Sequence, residues 1–295
     1  MSPLSRRRFL TISAAALATP AIATPLRWQG HAMGARVSVV LHAPEDQAKP
    51  ALDQLRQLLP RLERLFSLYD SNSDLSRLNR SGRLDAPHPD FVALLEQVGQ
   101  VHSATSGLFD PTVQPLWLAL ARGEDPAPSR ALLGWDRVQV SRQVVALEFG
   151  QALTLNGIAQ GFATDMARQI LQQSGLSRTL INIGEFAALG GPFRLGVEDP
   201  EFGLVATRTL ENRAIATSSP SALTLSADQS HILHPDGKPR WSTVSVEADS
   251  AAIADAASTA FCLMSEPRIR DALRALPGTP KATLVDHHGD LKTLG

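Results

Sequence analysis

Apolar residues in the stretch ALDQLRQLLPRLERLFSLYD fall at Leu52, Leu55, Leu59, Leu62 and Phe66. That is the three-and-four spacing of one helical stripe, which Pro60 is placed to kink. Before it, ARVSVVL (Ala35–Leu41) reads as a strand. After it, SNSDLSRLN reads as a polar turn, and DFVALLEQVGQVHSATSG as a second amphipathic helix closed by Gly107. LFDPTVQPLW reads as a loop because of its Asp-Pro step. RGEDPAPS is the best candidate for an exposed linker or insertion.

Further along, RVQV and VVALEF read as short strands. They lead into LTLNGIAQGFATDMARQILQQSG, where Ile158, Phe162, Met166 and Ile170 recur at helical spacing until Gly175 ends the helix. RTLINIG, FRLGV, LVATRTL, RAIATS and WSTVSV then read as strands. An Ala-rich helix over 251–264, another near PRIRDALRAL and a terminal hairpin around HHGD complete the chain. Clustered strands with long helices between them, rather than a regular strand-helix alternation, predict an α+β fold: one domain of mixed or antiparallel sheet packed by helices.

The first residues stand apart from this pattern. Ser5, Arg6, Arg7, Arg8, Phe9 and Leu10 give the twin-arginine export pattern, and a short apolar run ends in AIA. The run is well short of the roughly 20 residues a bilayer span needs. The expectation is a signal peptide over 1–23, cleaved after about Ala23, a periplasmic protein, and a domain over 24–295 with no transmembrane span. That export route carries folded proteins, which is consistent with a cofactor acquired early. Cys262 is the single cysteine, so no internal disulfide forms. With a net charge of -1 and no basic block beyond the signal, nucleic acid and anionic membrane are poor partners.

Four segments are polar or Gly-rich where a core would be apolar: LTLNGIAQG, INIGEFAALGG, HILHPDGKP and AIADAASTAF. Each has a plain structural reading. Gly157 and Gly161 would let a helix start pack closely, and His231 and His234 would close a turn. Asp255 is harder to absorb. Its neighbours Ile253, Ala254, Ala256 and Ala257 leave it no polar face, and an uncompensated buried carboxylate is costly. No Lys or Arg lies three or four residues away, which leaves a distant basic side chain or a cation as its counterpart. Thr259, four residues on, shares its face. A carboxylate, a hydroxyl and a backbone carbonyl from a Gly-rich loop form the hard oxygen set that Mg²⁺ accepts beside phosphate oxygens.

MGARVSVVL, SLYDSNSDLSRLN, SGLFDPTVQPLW, LNGIAQGFATD, INIG, HILHP and ADAASTAF occur in the order found in the ApbE family, the FAD:protein FMN transferases, which the chain resembles over about 33–264. The resemblance implies a single α+β domain and an Mg²⁺-dependent enzyme, with Mn²⁺ an alternative metal. Such an enzyme splits FAD at its pyrophosphate, attaches FMN to a Ser or Thr of an exported or membrane-bound flavoprotein, and releases AMP. Carried over by motif, Met33, Tyr69, Leu108, Phe109, Asp110 and Ile232 correspond to FAD contacts. Asp255 and Thr259 correspond to metal ligands, with the Gly157 carbonyl as a third. His231 corresponds to the histidine implicated in transfer. Thr154 and Gln160 stand at FAD-contact positions where the family usually carries an acid and a lysine, in LDLGGIAKG, and Asn156 replaces a glycine. INIGEF stands for the usual NIGGDI, and His234 for a common Asp. This variant pattern resembles the ApbE-like branch that includes accessory proteins of nitrous-oxide reduction. Two other readings compete: a non-catalytic periplasmic flavin-binding module, and an assembly partner of a metallo-oxidoreductase. The second lacks any C-x-x-C spacing.

Overall fold

The computed structural model describes residues 25–226, 229–235 and 237–295; the export segment read at 1–23 lies outside them. Chain order begins with strands β1 (Leu26–Ala32) and β2 (Ala35–Leu41) and helices α1 (Glu45–Phe66) and α2 (Asp74–Ser81). β3 (Arg83–Asp85), α3 (Pro89–Ala104), α4 (Gln114–Arg122) and α5 (Ala127–Arg130) follow. After β4 (Gln139–Val140) and β5 (Val144–Ala146) comes α6 (Ala159–Gln173). The strands β6 (Thr179–Asn182), β7 (Phe186–Leu189), β8 (Phe193–Asp199), β9 (Gly203–Leu210) and β10 (Ala214–Ser218) come next. Small strands β11 (Thr224–Ser226) and β12 (Gln229–Ser230) precede β13 (Thr243–Ala248), helices α7 (Ala251–Phe261) and α8 (Glu266–Ala275), and the hairpin β14 (Lys281–Val285) with β15 (Leu291–Leu294).

Among the described residues the main sheet has eight strands in the order β1-β2-β6-β7-β10-β13-β14-β15. Its pairings are antiparallel throughout. Strand side chains alternate between faces. Val39 and its partner Ile181 therefore join the helical core, while Val40 and its partner Leu180 face the other way. There the β8–β9 hairpin covers them with Leu195, Val197 and Leu210. On the helical side α1, α3, α6 and α7 bury a continuous apolar cluster, in which Phe66 of α1 meets Phe162 of α6 edge-on at 5.8 Å between ring centroids.

The α+β expectation therefore holds, with the sheet wholly antiparallel in its observed pairings. Two local expectations do not. The polar "turn" at 71–79 becomes helical at Asp74, opening α2, because Ser73 Oγ accepts the Ser76 N–H at its start and Leu75 and Leu78 are buried. The expected loop after Asp110 turns helical at Gln114, and Leu116 and Ala119 of that helix are buried. Helix α1 runs through both Pro50 and Pro60, the latter the position read as a kink. The linker candidate carries one exposed helical turn, α5. Among the described residues, no helix is long and apolar enough to cross a membrane.

The hairpin is locked to the sheet by Asp199. Its Oδ2 accepts from Ser242 Oγ at 2.6 Å and Thr243 Oγ1 at 2.7 Å; its Oδ1 accepts the backbone N–H of Glu201 at 2.8 Å and Phe202 at 3.1 Å. Burial alone would raise this carboxyl's pKa, but the two hydroxyls and two amides outweigh it and hold it below the ordinary range. Asp199→Asn should cost about 2 kcal/mol in urea unfolding at pH 7. A depressed folded pKa stabilises above the unfolded value and loses that contribution as pH falls through the folded one, so the difference between the two proteins should shrink below about pH 4.

Candidate active site

The site grows from the crossing of α6 and α7. Asp165 of α6 caps α7: its Oδ1 accepts the Ala251 N–H at 2.9 Å, and its Oδ2 accepts Ala252 N–H at 3.0 Å and Ser250 Oγ at 2.6 Å. A carboxylate at a helix N-terminus satisfies amides that have no partner within the helix. The Ala-rich face of α7 lets α6 come very close. A Cβ added at Gly161 would stand 2.3 Å from the Ala251 carbonyl oxygen. Of the two readings open for Gly161, close packing is therefore the observed one.

That approach decides what faces Asp255, which is 5% exposed. Its Oδ2 accepts the Gly161 N–H, an amide in the first turn of α6, at 3.2 Å. One turn on, Thr259 Oγ1 donates to the Asp255 carbonyl at 3.1 Å and lies 3.4 Å from Ser218 Oγ at the end of β10. Gly157, just before α6, lies beside Thr259: a Cβ built there would be 3.1 Å from Thr259 Oγ1 and 3.5 Å from the Phe109 ring. The three residues expected to hold a metal thus meet at one helix-helix junction, with Phe109 at its edge.

A second carboxylate enters that the sequence did not mark as a site residue. Glu185 follows Gly184 in the β6–β7 turn, where Gly184 adopts φ +93° and Asn182 Oδ1 accepts its N–H at 3.0 Å. Glu185 Oε2 accepts the Thr217 N–H of β10 at 3.3 Å, and its carbonyl accepts from Thr164 Oγ1 of α6 at 3.3 Å. Although the residue as a whole is half-buried, burial of its carboxyl comes first among the effects raising its pKa well above the usual carboxylate range. The negative charge of Asp255 adds to this, and the Thr217 amide opposes it without prevailing. The only sequence signal was an acidic residue inside the otherwise apolar INIGEFAALGG.

Of the remaining candidates, Phe109 and Gln160 adjoin this centre. Met33 sits at positive φ (53°) in the β1–β2 turn, its N–H donating to Glu63 Oε1 at 2.9 Å. Gln160, where the resemblance leads one to expect lysine, donates from Nε2 to the Met33 carbonyl at 3.0 Å and lies across Gly184. Its amide is used to hold the β1–β2 turn against α6. Leu108 and Phe109 are each 6% exposed. Phe109 is fixed through its N–H to Thr105 Oγ1 at 3.1 Å and through its carbonyl, which accepts from His102 Nδ1 at 2.9 Å. Asp110 is occupied structurally: Oδ1 accepts from the N–H and hydroxyl of Thr112, and Oδ2 from the Trp135 N–H. Thr154 donates its N–H to the Pro111 carbonyl at 2.8 Å, tying the loop before α6 to the Phe109 segment. Tyr69 is 85% exposed, presenting its ring to solvent.

His231 and Ile232 lie in the excursion between β10 and β13. His231 Nδ1 lies 2.8 Å from the Leu223 carbonyl oxygen, and Ile232, 6% exposed, donates its N–H to Ser230 Oγ. His234 closes a turn against Gly237. Because a carbonyl only accepts, Nδ1 of neutral His231 carries the proton and Nε2 is the basic nitrogen. Cys262 is fully buried with its thiol pKa pushed up by burial, which makes it an inert packing group.

Residues 33–284 match the ApbE family. The chain belongs to the ApbE family. Proteins named FAD:protein FMN transferase resemble it at low identity. That of Klebsiella pneumoniae is 25% identical over 299 residues, covering 89% of this chain and 85% of the relative. That of Haemophilus influenzae is 23% identical over 252 residues, 73% of each. The Rhodobacter capsulatus protein is 27% identical over 272 residues, which span about half (52%) of its length. In three dimensions, the apo form of the flavinyl transferase ApbE of Pseudomonas stutzeri superposes with TM-score 0.77 at 26% identity, covering 92% of this chain and 93% of that one. The Thermotoga maritima ApbE protein gives TM-score 0.79 at 22% identity, covering 91% and 96%, a likeness of fold.

Proposed function

We propose that this ApbE-family chain is a FAD:protein FMN transferase dependent on a divalent cation, Mg²⁺ or Mn²⁺. It would transfer FMN from FAD to a Ser or Thr hydroxyl of an exported or membrane-bound flavoprotein, with release of AMP. The twin-arginine pattern supports a periplasmic setting. The observation that carries the reading is the junction of Asp255, Thr259 and Gly157 at the start of α6. The residues fit a hard cation: a nearly buried carboxylate, a hydroxyl and a loop carbonyl are all oxygen donors, and the charge of Asp255 bears on the neighbouring Glu185 carboxyl.

The transfer balances simply. The acceptor oxygen bonds to the FMN phosphorus, the pyrophosphate bond breaks, the bridging oxygen leaves with AMP, and the acceptor hydroxyl gives up one proton. A bound divalent cation supplies charge neutralisation at the pyrophosphate oxygens. The chain's own residues do the rest. Asp255, Thr259 and the Gly157 carbonyl would hold the cation. Phe109, with Leu108 beside it, offers an apolar wall to a ring, and Met33 and Tyr69 are the further flavin contacts that the family motifs suggest. His231 Nε2 accepts the acceptor's proton.

The deciding test is the intact mass of an acceptor domain bearing a Ser/Thr flavinylation site, after incubation with the protein, FAD and Mg²⁺. An FMN-sized gain matched by AMP is expected. FAD bound tightly without transfer to either of two acceptors would replace this reading with a flavin-binding module.

A further inference from the structure

We propose that Glu185 is a second anionic ligand of the cation site, acting with Asp255, Thr259 and the Gly157 carbonyl. This rests on the cation-dependent reading above.

The argument begins with placement. Helix α7, which carries Asp255 and Thr259, packs on α6 and on β10, and Glu185 is fastened to both of those elements. Its side chain takes the Thr217 amide of β10, and its carbonyl takes the Thr164 hydroxyl of α6. The residue after Thr217 is Ser218, whose hydroxyl lies 2.8 Å from Ser258 Oγ and 3.4 Å from Thr259 Oγ1. Gly161, one residue along from the Gln160 that lies over Gly184, donates to Asp255. Glu185 is thereby enclosed from the sides on which the ligand pair stands, and Asp255 acts on it as a like charge.

A structural role would give such a carboxyl a cationic neighbour or a set of donors, as Asp165 and Asp199 have. Glu185 has one amide on its side chain, and the charge bearing on it is negative. Two carboxylates at one junction form an arrangement that a divalent cation relieves. Anionic ligand count sets affinity at oxygen sites, so a second carboxylate should raise it substantially. It also offers a physical reason why Gln160 can stand in place of a lysine: the cation is held more firmly by protein anions, and the site depends less on a side-chain positive charge.

The test is Mn²⁺ binding to the whole protein without FAD, by calorimetry and by the electron paramagnetic resonance signal of free Mn²⁺, for wild type, Glu185→Gln, Glu185→Asp and Asp255→Asn. Circular dichroism checks each fold. The expected result is binding weakened at least tenfold by Glu185→Gln and less by Glu185→Asp, which keeps the charge at shorter reach. The apoprotein melting temperature of Glu185→Gln should meanwhile hold, since the amide oxygen keeps the Thr217 hydrogen bond and the side chain keeps its shape. Unchanged affinity in Glu185→Gln, alongside loss in Asp255→Asn, would overturn the role of Glu185 and leave the metal site standing. No Mn²⁺ binding by wild type would overturn both.

Discussion

Asp255→Asn is expected to reduce FMN transfer about a thousandfold, equivalent to roughly 4 kcal/mol of transition-state stabilisation, with the fold intact. The exchange is nearly isosteric, and the amide oxygen can still accept the Gly161 N–H, so the α6–α7 junction keeps its hydrogen bond. What disappears is one negative charge in a site whose occupant is proposed to be a dication. The same loss removes the like charge that bears on Glu185. The variant should therefore melt no lower than wild type in the absence of metal, and should lose most of the stabilisation that Mg²⁺ gives the wild type. EDTA should bring wild-type AMP release down to the level of the variant. Activity within tenfold of wild type would remove Asp255 from the metal site, and a sharp fall in the metal-free melting temperature would make it a structural carboxylate instead.

The separation between what could be read in the sequence and what could not follows the range of the interactions. Asp255 was conspicuous because its local surroundings, a run of Ala with no basic residue one turn away, gave it no helical reason to exist. The pairing with Thr259 followed from helix periodicity alone. Helix α2 was missed because its stability comes from one cap, Ser73, and two leucines packing on distant elements, with polar residues at the other positions. Glu185 was missed for a longer-range reason. It reaches Asp255, 70 positions later, only because β7 and β13 both pair with β10 and α7 follows β13 back across that strand. Sheet order and register of this kind are not local properties of the sequence. Gln160 shows the converse: its departure from the expected lysine was visible at once, but its bond to the Met33 carbonyl depends on where the β1–β2 turn falls.

Gly161→Ala is expected to destabilise the protein by about 3 kcal/mol and to impair the site with it. In an ordinary helical position the sign would be opposite, because alanine loses less backbone freedom on folding and favours helix by about 0.5–1 kcal/mol. Here the added methyl would lie 2.3 Å from the Ala251 carbonyl oxygen, 2.6 Å from its carbon and 2.7 Å from the Ala252 Cα. All three obstacles are backbone atoms, and they belong to the helix start that Asp165 holds by three hydrogen bonds, so no side-chain rotation relieves the clash. The helices must separate, which lengthens the Gly161–Asp255 bond and draws Thr259 away from Gly157. Gly99 of α3 supplies the control. A Cβ there meets nothing nearer than Trp135 Nε1 at 3.5 Å, an ordinary contact, so Gly99→Ala should raise the urea midpoint while Gly161→Ala lowers it. Metal affinity measured on the folded fraction of Gly161→Ala should fall as well, since the same contact that sets the helix spacing sets the distance between the ligands. If both alanine variants prove stabilising, close helix approach is not what positions Asp255.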